Sequence, residues 1–313
     1  MNFFKKGLIV AFTVLFLVAG LFGCTPKGEN QGEQKQGLSG TIKVDGSSTV
    51  YPISEAMAEE FRAQNPDVNI TIGVSGTGGG FKKFSAGEID ITNASRPIKD
   101  EEKEALKKNN IEYVELKIAY DGIAIVVNKN NTWVDSLTVE ELKKIWEPGS
   151  KVKTWKDVRP EWPAEPIKLY APGVDSGTFD YFTEAINGKD GAIRQDFTPS
   201  EDDNVLVQGV AGDKNAMAFF GLAYYEENKD KLKVVKIDAG QGPVEPTFET
   251  VKSGQYKPLS RPLFIYVNKK SLERPEVKSF VEFYLTHGKD LVRDVGYINL
   301  PDEEYTEELN KLK

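Results

Sequence analysis

Hydroxyl-bearing residues and glycines gather in four short stretches of this chain. They are Gly46-Ser47-Ser48-Thr49, Ser75-Gly76-Thr77-Gly78-Gly79-Gly80, Thr92-Asn93-Ala94-Ser95-Arg96-Pro97 and Asp175-Ser176-Gly177-Thr178. Such residues supply neutral donors: side-chain O–H groups, and backbone N–H groups that glycine leaves open to close approach. Where the stretch opens a helix, the first-turn N–H groups have no intrahelical partner and the helix dipole adds positive potential. Together these are the means of holding an anion. Each stretch has a plainer use, since Ser47, Ser48, Thr49, Ser176 or Thr178 could cap a helix and the glycines could simply turn the chain. Capping and anion binding are compatible, and the recurrence of the pattern favours the second.

Other chemistries find little support. His287 is the only histidine and Cys24 the only cysteine, which excludes an intrachain disulfide and leaves almost nothing for a His/Cys metal site. Val174-Asp175-Ser176-Gly177 lacks the flanking glycines of a hydrolase nucleophile elbow. Gly78-Gly79-Gly80 is not followed by the Gly-Lys-Ser/Thr of a nucleotide phosphate loop. Asp202-Asp203 stands outside any calcium-loop spacing. The reading is a binder, not an enzyme, with no cofactor and no metal.

The elements that must position these stretches are strands and helices in alternation. Thr41–Val44 reads as a strand, followed by a helix opened by Tyr51-Pro52 with Ile53, Met57 and Phe61 on one face. Val68, Ile70, Ile72 and Val74 alternate as a half-buried strand, and Phe81 opens a helical pattern. Ile89–Ile91 is a short strand, and Lys99–Lys108 a charged surface helix. Tyr113–Ala119 and Ile123–Asn128 read as two strands joined at Tyr120-Asp121-Gly122. Thr138-Val139-Glu140-Glu141 matches a capping box. Further strands are expected at Ile167–Tyr170, Ala216–Phe220, Leu232–Ile237 and Pro262–Asn268, with a charged tail after Pro301. This order implies an α/β fold with largely parallel sheets, whose ligand sites lie at strand carboxyl ends beside helix N-termini. Turns spread from Ser48 to Thr178 point to two lobes facing one cleft.

The first residues carry an address. Lys5 and Lys6 precede an apolar run from Leu8 to Phe22, too short for a membrane span, so residues 1–23 read as a secretory signal. The run ends Leu21-Phe22-Gly23-Cys24, which resembles a lipoprotein cleavage site with Cys24 as the lipidated first residue. Residues 24–39 are polar and read as a flexible tether. The whole chain carries −8, and losing the two lysines gives −8 − 2 = −10, a charge that disfavours nucleic acid as a partner.

The ordered set Gly46–Pro52, Ser75–Gly80, Ile89–Ile91, Ser95-Arg96-Pro97, Asp121-Gly122, Asp175–Thr178 and Asp203–Gly209 resembles the phosphate-binding lipoproteins of the bacterial high-affinity phosphate ABC transporter. The likeness runs from Asp45 to about Val295. It implies a two-lobed periplasmic-binding-protein fold of type II, with mixed sheets flanked by helices, an extracytoplasmic monomer, and a permease–ATPase complex as partner. By position, Thr49, Thr77, Ser176, Gly177 and Thr178 match the family's ligand contacts, with Ser48 beside them. Two charged ligands of the usual pattern are replaced, an arginine by Pro172 and an aspartate by Ser95. Arg96 is the expected substitute cation, with Arg194 next. Asp121 is the expected acceptor-only group that would prefer protonated phosphate to sulfate, with Asp175 next. The expected lobes are residues 40–119 plus 262–313, and residues 120–261. Alternatives are a site for sulfate or another tetraoxyanion, a phosphate-ester hydrolase, and a surface adhesin on the same fold.

Overall fold

The computed structural model describes residues 37–174, 176–200 and 202–313. The signal, Cys24, most of the tether and Asp175 lie outside the described residues. Among those described, no helix is long and apolar enough to cross a membrane.

In chain order, β1 (Gly40–Gly46), α1 (Tyr51–Gln64), β2 (Val68–Ile72), α2 (Gly76–Ser85), β3 (Ile91–Ala94) and α3 (Asp100–Lys108) come first. Next are β4 (Tyr113–Asn128), β5 (Ser136–Thr138), α4 (Val139–Trp146), β6 (Lys168–Ala171), α5 (Gly177–Asn187), β7 (Thr198–Pro199), α6 (Asp203–Gly212) and β8 (Ala216–Gly221). The remainder is α7 (Leu222–Asn228), β9 (Leu232–Val234), β10 (Lys236–Asp238), β11 (Pro243–Val244), α8 (Phe248–Lys252), β12 (Ser260–Asn268), α9 (Pro275–Thr286), α10 (Gly288–Asp294) and α11 (Asp302–Asn310).

Two expectations hold in detail. Ile53, Met57 and Phe61 line the buried face of α1, with proline in its first turn. At α4, Thr138 Oγ1 accepts from the Glu141 N–H at 3.1 Å while the Glu141 carboxylate accepts from the Thr138 N–H at 2.9 Å.

Other expectations are corrected. The two strands joined at Asp121 are one strand, β4, sixteen residues long and buried from Ile118 to its end. Its first half pairs with β12 and its second with β8 and β9, so it crosses the molecule without turning. Cover on both faces permits this nearly unbroken apolar run. The helix expected at Phe81 begins at Gly76, so Gly78, Gly79 and Gly80 are helical. A Cβ on Gly80 would lie 2.3 Å from Thr92 Oγ1 and 2.7 Å from Gly46 Cα, so bare glycine lets α2 lie directly on β1 and β3. The strand expected at Ile89 starts at Ile91 and takes in Thr92–Ala94. Val74 lies past the end of β2 and is exposed. The strand expected at Leu232–Ile237 breaks into β9 and β10, the strand expected at Pro262 starts at Ser260, and the charged tail folds as α11.

The sheet order is β2-β1-β3-β12-β4-β8-β6-β7, with β9 also on β4. It is mixed, not largely parallel: β1 is parallel to β2 and β3, and β6 to β7 and β8, whereas β12 and β4 run antiparallel to their neighbours. Two sets of parallel strands thus meet across a long antiparallel pair. The chain end braces that pair. Tyr120 and Ile298 exchange backbone hydrogen bonds of 2.8 and 3.0 Å, and Glu304 of α11 binds Lys117 Nζ at 2.9 Å and the Tyr120 hydroxyl.

Candidate anion-binding site

A cavity of about 560 Å³ opens where the carboxyl ends of β1 and β3 face the start of β12 and the flank of α5. Ser48 and Thr49 reach it from between β1 and α1, Thr77 from the first turn of α2, and Ser95 and Arg96 from the segment after β3. The Thr77 and Ser95 hydroxyls are 3.1 Å apart, and the Ser95 N–H donates to Thr77 Oγ1 at 3.2 Å. Below this wall Asp45 holds the turn before α2, accepting from Ser75 Oγ and pairing with Lys83. Burial raises the Asp45 pKa, but the hydrogen bonds from Lys83 and Ser75 outweigh it and leave the carboxyl below its usual value.

Ser176, Gly177 and Thr178 are not in the cavity lining. Ser176 Oγ caps α5 by accepting from the Thr178 N–H at 3.2 Å. Gly177 nevertheless abuts the site: Thr49 Oγ1 contacts its carbonyl at 3.3 Å, and a Cβ there would come within 2.5 Å of Thr49 Cα. The α5 residues that do line the cavity are Asp180, Tyr181, Glu184 and Ala185, with Asp190 from the following loop.

The charged groups differ from expectation. Arg96 lines the cavity but uses both terminal nitrogens on the Glu102 carboxylate, at 2.8 and 2.9 Å. Nor is it the only arginine in the cavity lining. Arg261, at the start of β12, lines the same cavity and has a side chain only 14% exposed. Its Nη2 donates to Thr49 Oγ1 at 2.9 Å, its Nε meets Asp121 Oδ2 at 3.3 Å, and its guanidinium carbon sits 3.5 Å above the centre of the Tyr181 ring. The Tyr181 hydroxyl is tied to the Pro258 carbonyl at 2.7 Å, which fixes the ring. Asp121 is 3% exposed and outside the cavity lining, so it supports Arg261 from behind and does not face the cleft as an open acceptor. Burial pushes its carboxyl up, opposed by Arg261 and the Gly122 N–H. Arg194 is committed to Asp196 at 2.6 Å and the Ile145 carbonyl at 2.8 Å, and it too is outside the lining.

Sequence reading missed Arg261 because it stands just before the strand expected at Pro262 and outside the four hydroxyl–glycine stretches. A signal was present: Ser260-Arg261-Pro262 repeats the tripeptide Ser95-Arg96-Pro97. The two lie at the cavity end of neighbouring strands, since β12 pairs antiparallel with β3. Asp121 and Arg261 are direct cross-strand partners between β4 and β12. Among the described residues no group of His, Cys, Asp and Glu is placed to hold a metal ion.

With this geometry in view, a family model described as a PBP superfamily domain matches residues 31–287. The phosphate-binding protein PstS of Staphylococcus saprophyticus is 48% identical over 275 residues, covering 87% of this chain and 84% of the relative. This chain belongs to the PBP superfamily, among the PstS proteins. A crystal structure of a possible phosphate binding protein from Planctomyces limnophilus is 52% identical, with a TM-score of 0.85, covering 88% of this chain and 98% of the other. That of a putative phosphate ABC transporter substrate-binding protein from Clostridium perfringens, with bound phosphate, is 32% identical, with a TM-score of 0.56, covering 84% and 100%. The two-lobed fold of the superfamily accounts for the two sets of parallel strands on either side of β4 and β12.

Proposed function

We propose that this PstS-family chain captures inorganic phosphate in the cleft and hands it to an ABC importer on the outer side of the cell membrane. The observation that carries the reading is Arg261: a guanidinium held between a buried carboxylate and a tyrosine ring, at the edge of a cavity lined by Ser48, Thr49, Thr77 and Ser95. A fixed, desolvated fork of donors among neutral hydroxyls suits a tetrahedral oxyanion. Thr49, Thr77, Ser95 and Arg261 are its proposed contacts, with Ser48 and Arg96 at the rim. Gly177 supports Thr49, Ser176 and Thr178 shape the α5 terminus, and Asp121 positions Arg261. The lobes divide near residues 120–124 of β4 and 257–262, before and within β12. The protein binds its ligand without turnover, as a monomer. Lipid on Cys24, with the polar residues after it as tether, keeps the cleft at high local concentration near the permease.

Titration calorimetry with phosphate, sulfate and a phosphomonoester tests the reading. Tight phosphate binding with no hydrolysis of the ester is expected. Preference for sulfate would change the ligand, and absence of heat with every anion would overturn the reading. Intact-mass measurement of membrane-extracted protein tests the anchor, which fails if the mature chain begins after Cys24 without lipid mass.

A further inference from the structure

The α5 side of the cleft is acidic, which is unexpected beside an anion. Asp180 stands in the first turn of α5, Glu184 one turn on, and Asp190 in the loop that follows. Asp180, Glu184 and Asp190 thus line the same side of the cavity, and the neighbouring Asp190 carboxyl raises the Asp180 pKa. Asp180 Oδ2 also accepts from Ser48 Oγ at 2.8 Å, from the opposite wall. One carboxyl therefore joins both sides of the cavity. The groups that face it are Asp190 and Glu184 from α5 and its loop, Ser48 from the β1–α1 turn, and Arg261 from β12. Arg96 and Lys99 line the cavity after β3. Arg261 is already paired with Asp121, so it only partly offsets the negative charge.

We propose that anion capture in this cleft is coupled to uptake of a proton by Asp180, the carboxyl that bridges the two walls of the cavity. The proposal rests on the phosphate reading and deepens it. A bound oxyanion adds negative charge beside Asp180 and removes its water, and both effects favour the protonated form. By linkage, a carboxyl that holds its proton more tightly in the complex makes the complex tighter as pH falls. Burial already raises the Asp180 carboxyl, opposed by the Ser48 hydrogen bond, and Asp190 raises it further. Once protonated, Asp180 still accepts from Ser48, so the bridge between the walls remains.

The test is calorimetry with inorganic phosphate in two buffers of different ionisation heat, on the full chain and on Asp180→Asn and Asp190→Asn. Asparagine at 180 retains an acceptor for Ser48 but cannot titrate. The parent should take up more protons per phosphate than either variant, the ligand's own protonation being common to all three. As pH rises through the titration of this carboxyl, the parent's affinity should fall about tenfold more than that of Asp180→Asn, the equivalent of about one pKa unit of linkage. Equal proton counts and equal pH slopes in parent and variants would overturn the coupling while leaving phosphate binding intact. Absence of phosphate heat in the parent would overturn the underlying reading and the coupling with it.

Discussion

Two arginines share one cleft but not one task. Arg96 is neutralised by a two-point contact with Glu102, whereas Arg261 has its charge held by Asp121 and its Nη2 turned to Thr49. Truncating one partner of a buried charged contact costs about 2–5 kcal/mol, so Arg261→Ala should weaken phosphate binding by at least 2 kcal/mol of that range. Arg261→Lys should recover only part, because the planar fork and the stack on Tyr181 are lost. Arg96→Ala should cost less than Arg261→Ala, and equal or reversed losses in calorimetry would exchange the roles of the two residues. Asp45 gives a pH prediction. Its folded pKa lies below the unfolded value of 3.8, so its contribution to stability is complete above that value and disappears as pH falls through the lowered one. Asp45→Asn should therefore flatten the acid limb of a stability-against-pH curve below about pH 4. Denaturation midpoints measured across that range decide it.

At the scale of elements, close backbone contact fixes the geometry of the site. Gly80 lets α2 rest on Gly46 and Thr92, and a Cβ there meets backbone, which cannot swing aside. Gly80→Ala should cost about 1–3 kcal/mol, as overpacking does, and should lower phosphate affinity by shifting Thr77. A melt and a titration on the same sample check both parts. The helices and their caps were legible because their signals are local: the periodicity of α1, the capping box at Thr138 and the hydroxyl turns all act within a few residues. The continuity of β4 was not. Asp121 reads as a break in an apolar run, and it is mainly Arg261, 140 residues further along, that makes a charged side chain tolerable in mid-strand. The same distance hid Arg261, whose importance comes from the strand it pairs with. The glycines of α2 were read as a turn because their helical role depends on what lies beneath them.

For the whole molecule, the cleft lies beside a sheet that runs unbroken from β2 through β12 and β4 to β7. Ligand that binds only the folded cleft must raise global stability, by about 2.7 kcal/mol at a hundredfold excess over Kd. Phosphate should therefore shift the thermal midpoint of the parent upward and that of Arg261→Ala much less at the same concentration. Scanning calorimetry with phosphate at several concentrations reads this directly.

The position of β12 also bears on how the chain is made. Strands β1, β2 and β3 are complete by residue 94, yet β3 meets the rest of the sheet only through residues 260–268. A chain emerging from its N-terminus must hold that early sheet with one edge unpaired while the next 165 residues, 95 to 259, arrive. Such an edge is a template for wrong pairing. Nascent or truncated chains that end before Ser260 are thus the species most exposed to mispairing.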